Sequence, residues 1–210
     1  MRNLTQLDAV EHRILGALME KGKTTPDYYP LTLKALVAAC NQKSNRNPVM
    51  SLAEIEVLNT LRVLLQEGLV QRVGGARVDR WQHRLGDSLS EGALAVLTLL
   101  LLRGAQTLGE LRGRAERLHG FASLSEVETA LQELKGQDPP LSVELARLPG
   151  QKENRWTFCG EGEEPQVQAI AAAPEAAGSQ SMEERIDRLE AQVGELRREL
   201  DDLKHQLGSD

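Results

Sequence analysis

Aromatic residues and cysteines are scarce in this sequence, and long hydrophobic runs are missing. Two Trp, two Tyr and two Phe stand among 210 residues, so a core has to be assembled from branched aliphatic side chains, Leu above all. That composition favours helices over large sheets. The two cysteines, Cys40 and Cys159, are far apart and form no CxxC pair, which argues against a disulfide scaffold and suits a reducing compartment. The longest apolar stretch, Ala93 to Leu102, is interrupted by Thr98 and is too short to span a bilayer. Met1-Arg-Asn-Leu-Thr-Gln-Leu-Asp has no basic stretch leading into an apolar one, so no secretory signal is expected. These absences lead to the expectation of a cytoplasmic protein with no membrane partner.

Signatures of chemistry are equally sparse. His12, His83, His119 and His205 are scattered, and neither cysteine has a histidine at ligand spacing, so no metal is expected. The sequence holds no G-x-x-x-x-G-K-[ST] phosphate loop and no G-x-S-x-G elbow. Gly74-Gly75 reads as a hairpin turn, where glycine supplies backbone freedom. The carboxylate pairs Glu54 with Glu56 and Glu126 with Glu128 fall at helix starts, where they complement the helix dipole. No catalytic residue and no cofactor are expected, and the chain reads as non-enzymatic.

What is present is a twofold order of elements. Leu7, Val10, Ile14, Leu15 and Leu18 recur at helical spacing over Leu7 to Glu20, with Gly22 placed as a C-terminal glycine. After the two prolines of Thr24-Thr-Pro-Asp-Tyr-Tyr-Pro, the pattern resumes over Leu31 to Ala39 as a second helix. The polar loop Asn41 to Pro48 leads to Ser51, read as the cap of a third helix with Glu54 as its capping-box partner and an end near Gly68. Leu69 to Val73 and Val78 to Leu85, around Gly74-Gly75, then read as a hairpin. Three more helices follow over Ser90 to Leu102, Leu108 to Leu118 and Ser125 to Leu134. Strands Leu141 to Leu148 and Arg155 to Cys159 close the second copy.

Three helices closed by a hairpin is the order of a winged helix. The expected fold class is therefore mainly α with small β-hairpins (α+β), in two tandem winged-helix domains over 1–86 and 87–160. Trp81 and Trp156, each in the last strand of its copy, are expected as core anchors. Tyr28 and Tyr29 are expected to pack their loop onto the helices, the alternative being an exposed aromatic contact.

The run Thr24-Thr-Pro-Asp-Tyr-Tyr-Pro-Leu-Thr-Leu-Lys-Ala-Leu, with Ala39-Cys-Asn-Gln-Lys-Ser-Asn-Arg-Asn-Pro-Val behind it, resembles the YceH-type family of uncharacterised bacterial proteins. Val10-Glu11, Ile14-Leu15 and Leu61 through Val70 extend the resemblance over roughly residues 7–160. It implies a tandem winged helix and carries no activity with it.

Composition changes again beyond Gly160. Residues 161–181 are rich in Gly, Glu, Pro, Ala and Gln, the composition of a flexible linker. Over 182–207 a heptad pattern follows, with Ile186, Val193 and Leu200 at a positions and Leu189, Leu196 and Leu203 at d positions. A parallel coiled-coil homodimer fits this pattern; an amphipathic helix folding back on its own domains is the alternative.

Charge is uneven as well, +4 over residues 1–86, −2 over 87–160 and −8 over 161–210. Only the first segment carries the sign that attracts phosphate. Lys43 and Arg46 in the polar loop, Arg62 on the third helix, and Arg72, Arg77 and Arg80 around the hairpin outline a face that could contact double-stranded DNA. Glu54 and Glu56, and Glu126, Glu128 and Glu133 in the second copy, count against DNA. They leave a protein-interaction scaffold that binds a protein partner and no DNA as the alternative.

Overall fold

The computed structural model describes residues 4–74, 78–85, 89–147 and 151–160. The linker and the heptad segment, including Ile186, Leu189, Val193, Leu196, Leu200 and Leu203, lie outside the described residues, and so does Arg77. Among the described residues the fold is α+β, with six α-helices and two small antiparallel sheets. None of these helices is long and apolar enough to cross a membrane.

The first half holds α1 (Ala9–Thr24), β1 (Leu31–Thr32), α2 (Leu33–Cys40), α3 (Glu54–Gln66), β2 (Val70–Val73) and β3 (Arg80–His83). Asp8 starts α1 through a capping box, its carboxylate accepting from the Val10 and Glu11 amides while Glu11 accepts from its own. The helix runs past Glu20 to Thr24, where the Thr24 and Thr25 hydroxyls donate to the carbonyls of Glu20 and Lys21. Gly22 lies inside it and ends nothing. A Cβ there would sit 3.4 Å from the Tyr29 ring, in ordinary contact with it, so the ring lies against α1 at this position.

Two other sequence expectations shift. Leu31 belongs to a strand, and α2 begins only after Thr32, whose hydroxyl accepts from Ala35 N. Ser51 does not cap α3: the cap is Ala53, whose amide donates to Glu56 Oε2 at 2.7 Å. Alanine has no oxygen to return, so only the Glu half of a capping box is made.

The second half repeats the plan with α4 (Glu91–Arg103), α5 (Leu108–Ala115), α6 (Leu124–Lys135), β4 (Ser142–Leu145) and β5 (Arg155–Phe158). In the first sheet, ordered β1-β3-β2, Leu31 pairs with Trp81. In the second, Gln106 pairs with Trp156 through both backbone hydrogen bonds. The arginine before each Trp makes the same bond across the same 50-residue gap: Arg80 to Pro30 O at 2.9 Å and Arg155 to Ala105 O at 2.8 Å. Thr32 and Thr107, next in line, each cap the following helix. The duplication thus extends to individual contacts.

Two buried clusters underlie the two halves. One gathers Ile14, Leu15, Leu18, Leu36, Val57, Leu61, Leu64 and Trp81, and the other Val96, Leu97, Leu100, Leu111, Val127, Leu131, Trp156 and Phe158. Both tryptophans are core anchors, as expected. Met19 on α1 belongs to the second cluster, and Leu4, Leu85 and Leu101 pack against both. Helix α1 therefore serves each core. Its approach to α4 is close enough that a Cβ on Gly16 would fall 2.9 Å from the Leu102 side chain.

Candidate nucleic-acid interface

The segment from Asn41 through α3 carries Lys43, Arg46 and Arg62, three of the six candidate residues, and its backbone is held from inside. Asn41 exchanges two hydrogen bonds with Leu52, Nδ2 to Leu52 O and Leu52 N to Oδ1, closing the loop across ten intervening positions. Asn45 takes φ 61°, a left-handed conformation that asparagine tolerates better than most residues. Arg13, 1 % exposed, reaches Cys40 O and Pro48 O from α1, and Asn47 N donates to Leu102 O of α4 at 2.8 Å. The loop thereby ties the two halves together.

Arg46 corrects one expectation. Its side chain is 0 % exposed, forks onto Glu20 at 2.6 and 3.1 Å, and donates through Nε to Ala39 O. A guanidinium spent in this way cannot reach a phosphate. Burial works against the Glu20 charge, but the hydrogen bond and charge of Arg46, with Lys21 beside it, outweigh that and hold the carboxyl below its ordinary value. Burial is also what pushes the Cys40 thiol up to about 12.

The other candidates are on the surface. Lys43 and Arg62 are exposed, and Arg62 Nη1 donates to Asn59 Oδ1 at 3.2 Å. Arg72 pairs with Asp79 at 3.3 Å, both more than half exposed, a contact that water and salt easily exchange. Arg80, also exposed, holds Pro30 O. Tyr28 is 74 % exposed, whereas Tyr29 is half-buried and accepts from His83 N at 2.8 Å, so only the second tyrosine packs the loop.

Helix α3 buries Val57, Leu61 and Leu64 and turns outward a stripe of Ile55, Asn59, Arg62 and Gln66, all exposed. These residues follow the i, i+4, i+7, i+11 repeat. Sequence reasoning picked Arg62 alone from this stripe, although the same periodicity that marked the buried face also marks its opposite. Glu56 is turned back onto the helix start. In the second half Glu126 accepts from Ala122 N, and Glu133 accepts from both the amide and the hydroxyl of Ser90. Glu56, Glu126 and Glu133 therefore act as caps or ties within the fold. Among the described residues no cluster of His, Cys, Asp or Glu is placed to hold a metal.

The fold and this surface define an α+β protein of two repeated helical units, each closed by a small sheet, with a polar helix face exposed on the first. The chain belongs to the YceH-type UPF0502 family: its residues 7–151 match the family described as "Protein of unknown function, DUF480". It is 49 % identical over 199 residues to a UPF0502 protein of Dechloromonas aromatica, covering 91 % of this chain and 93 % of the relative. A UPF0502 protein of Herminiimonas arsenicoxydans is 46 % identical over 206 residues, covering 95 % and 87 %. UPF0502 protein YceH of Salmonella paratyphi B is 44 % identical over 214 residues, covering 97 % and 98 %.

Proposed function

We propose that the chain is a non-enzymatic, cytoplasmic tandem winged-helix protein that binds double-stranded DNA through its first domain, residues 1–86, with α3 as the recognition helix. Residues 87–160 form the second winged helix, and 182–207 pair two chains as a coiled coil beyond the linker 161–181. The observation that carries this reading is the outward stripe of α3. Asn59 and Gln66 each present a paired donor and acceptor and Arg62 a pair of donors, patterns that match base edges in a major groove, and Ile55 offers an apolar contact for a thymine methyl. The exposed Lys43, Arg72 and Arg80 supply phosphate contacts, Arg77 is assigned the same role from its place in the sequence, and Arg46 is not among them.

The second reading, a scaffold for a protein partner, is favoured by a specific feature of the same helix. Ile55 is 60 % exposed on the outward stripe, an apolar side chain that a protein partner would cover. Binding of the full-length protein to a mixed genomic duplex pool at two salt concentrations separates the two. The DNA reading expects affinity that falls steeply with salt and drops further in an Asn59→Ala/Arg62→Ala variant. No binding at the lower salt would end it and leave the scaffold.

A further inference from the structure

A polar cavity of about 490 Å³ opens where the end of α1, the Asn41–Asn47 loop, the end of α4 and α5 meet, the volume of a small-molecule site. Lys21, Arg103, Arg114 and Arg117 line it, with Gln42 and Ser44 as neutral donors. The positive charge around it exceeds the negative. Glu20 answers both Lys21 and the buried Arg46, and Glu110 answers both Arg114 and Arg155, so two carboxylates are shared by four cations. Arg103 is left with the neutral Asn45 amide as its partner, and Glu116 is the one further carboxylate on the lining.

Helix C-termini also converge here, and cations near them ordinarily complement the exposed carbonyls. Several of those carbonyls are already occupied. The Thr24 and Thr25 hydroxyls take Glu20 O and Lys21 O, Asn47 N takes Leu102 O, and Gly104 N takes Leu100 O. The guanidinium groups bond side chains instead: Arg114 donates to Gln106 Oε1 at 2.8 Å and Glu110 Oε1 at 3.2 Å, and Arg103 donates to Asn45 Oδ1. Arg103 shows the cost of the arrangement: burial, then the neighbouring charge of Arg114, lowers its pKa from the ordinary arginine value.

We propose that this cavity binds a small diffusible ligand bearing at least two negative charges, of the phosphate-ester or pyrophosphate class, held by Arg103, Arg114, Arg117 and Lys21. Such a ligand would bridge α1 and its loop, which pack on the first core, to α4 and α5 of the second. It would stiffen the joint between the halves without touching the outward face of α3.

Isothermal titration calorimetry of the full-length protein with sodium pyrophosphate, against sodium chloride at matched ionic strength, tests the proposal. The expected result is saturable one-to-one binding of pyrophosphate, weakened about tenfold by Arg117→Gln, the loss of one charge-assisted contact. Lys34→Gln removes an exposed charge on α2 and is expected to leave the affinity unchanged. Arg117 is also exposed, so its variant should fold, which thermal unfolding without ligand verifies. Absence of saturable binding, or equal weakening by Arg117→Gln and Lys34→Gln, overturns the proposal.

Discussion

Arg46 stands in a polar loop among asparagines, and its neighbours in sequence are solvated, yet its side chain is the one the fold takes inside. Removing the guanidinium would leave Lys21 as the cation on the Glu20 carboxylate and free Ala39 O. Arg46→Ala is expected to cost about 3–5 kcal/mol in a urea unfolding titration, the range for breaking a buried ion pair, and a loss under about 1 kcal/mol would contradict the assignment. Glu20 adds a pH dependence. Its folded-state pKa lies below the ordinary 4.5, so its contribution is complete above that value and is lost as the pH falls through the folded one. Acid titration of stability should therefore be shallower in Glu20→Gln than in the wild type. Cys40 is buried and its thiol is raised to about 12, while Cys159 is half-buried. Iodoacetamide at pH 8 is expected to label Cys159 and to reach Cys40 only in denaturant; equal labelling in the native protein would show that the first core is open.

At the scale of elements, the contact between α1 and α4 depends on Gly16. Gly16→Leu would drive a branched side chain into Leu102 and Leu101 and is expected to destabilise by about 1–3 kcal/mol, read as a lower urea midpoint. Much of this level was legible in the sequence. Helical periodicity located the six helices of the described residues, and β-forming runs around turn residues located both strand pairs; α3, α5 and α6 each bury one face, whereas α1 is buried at every position from Glu11 to Met19. What periodicity could not reveal were the ends. Whether Leu31 is strand or helix depends on a pairing with Trp81, fifty residues on, and whether Ser51 caps α3 depends on where Asn41 pins the loop at Leu52. The site was legible in the same proportion. Exposed Arg62 carries a charge that marks it, but Asn59 and Gln66 carry none, and the burial of the loop residue Arg46 is set by Glu20 on α1.

In the whole molecule, α1 lends Met19 to the second core and most of its buried face to the first, and the Asn41–Asn47 loop hydrogen-bonds to the end of α4. The described halves are thus coupled through a shared helix, and substitutions in either core should lower one common unfolding transition. The central claim, that the outward face of α3 meets DNA, is tested most directly by placing a photoreactive p-benzoylphenylalanine at position 55 and irradiating living cells. Position 55 is exposed and forms the N-terminal end of the stripe, so the label reports what that end of the face touches. The account expects nuclease-sensitive adducts with DNA, reduced when Asn59→Ala and Arg62→Ala are added. Adducts with protein alone would contradict it and make the first domain a scaffold.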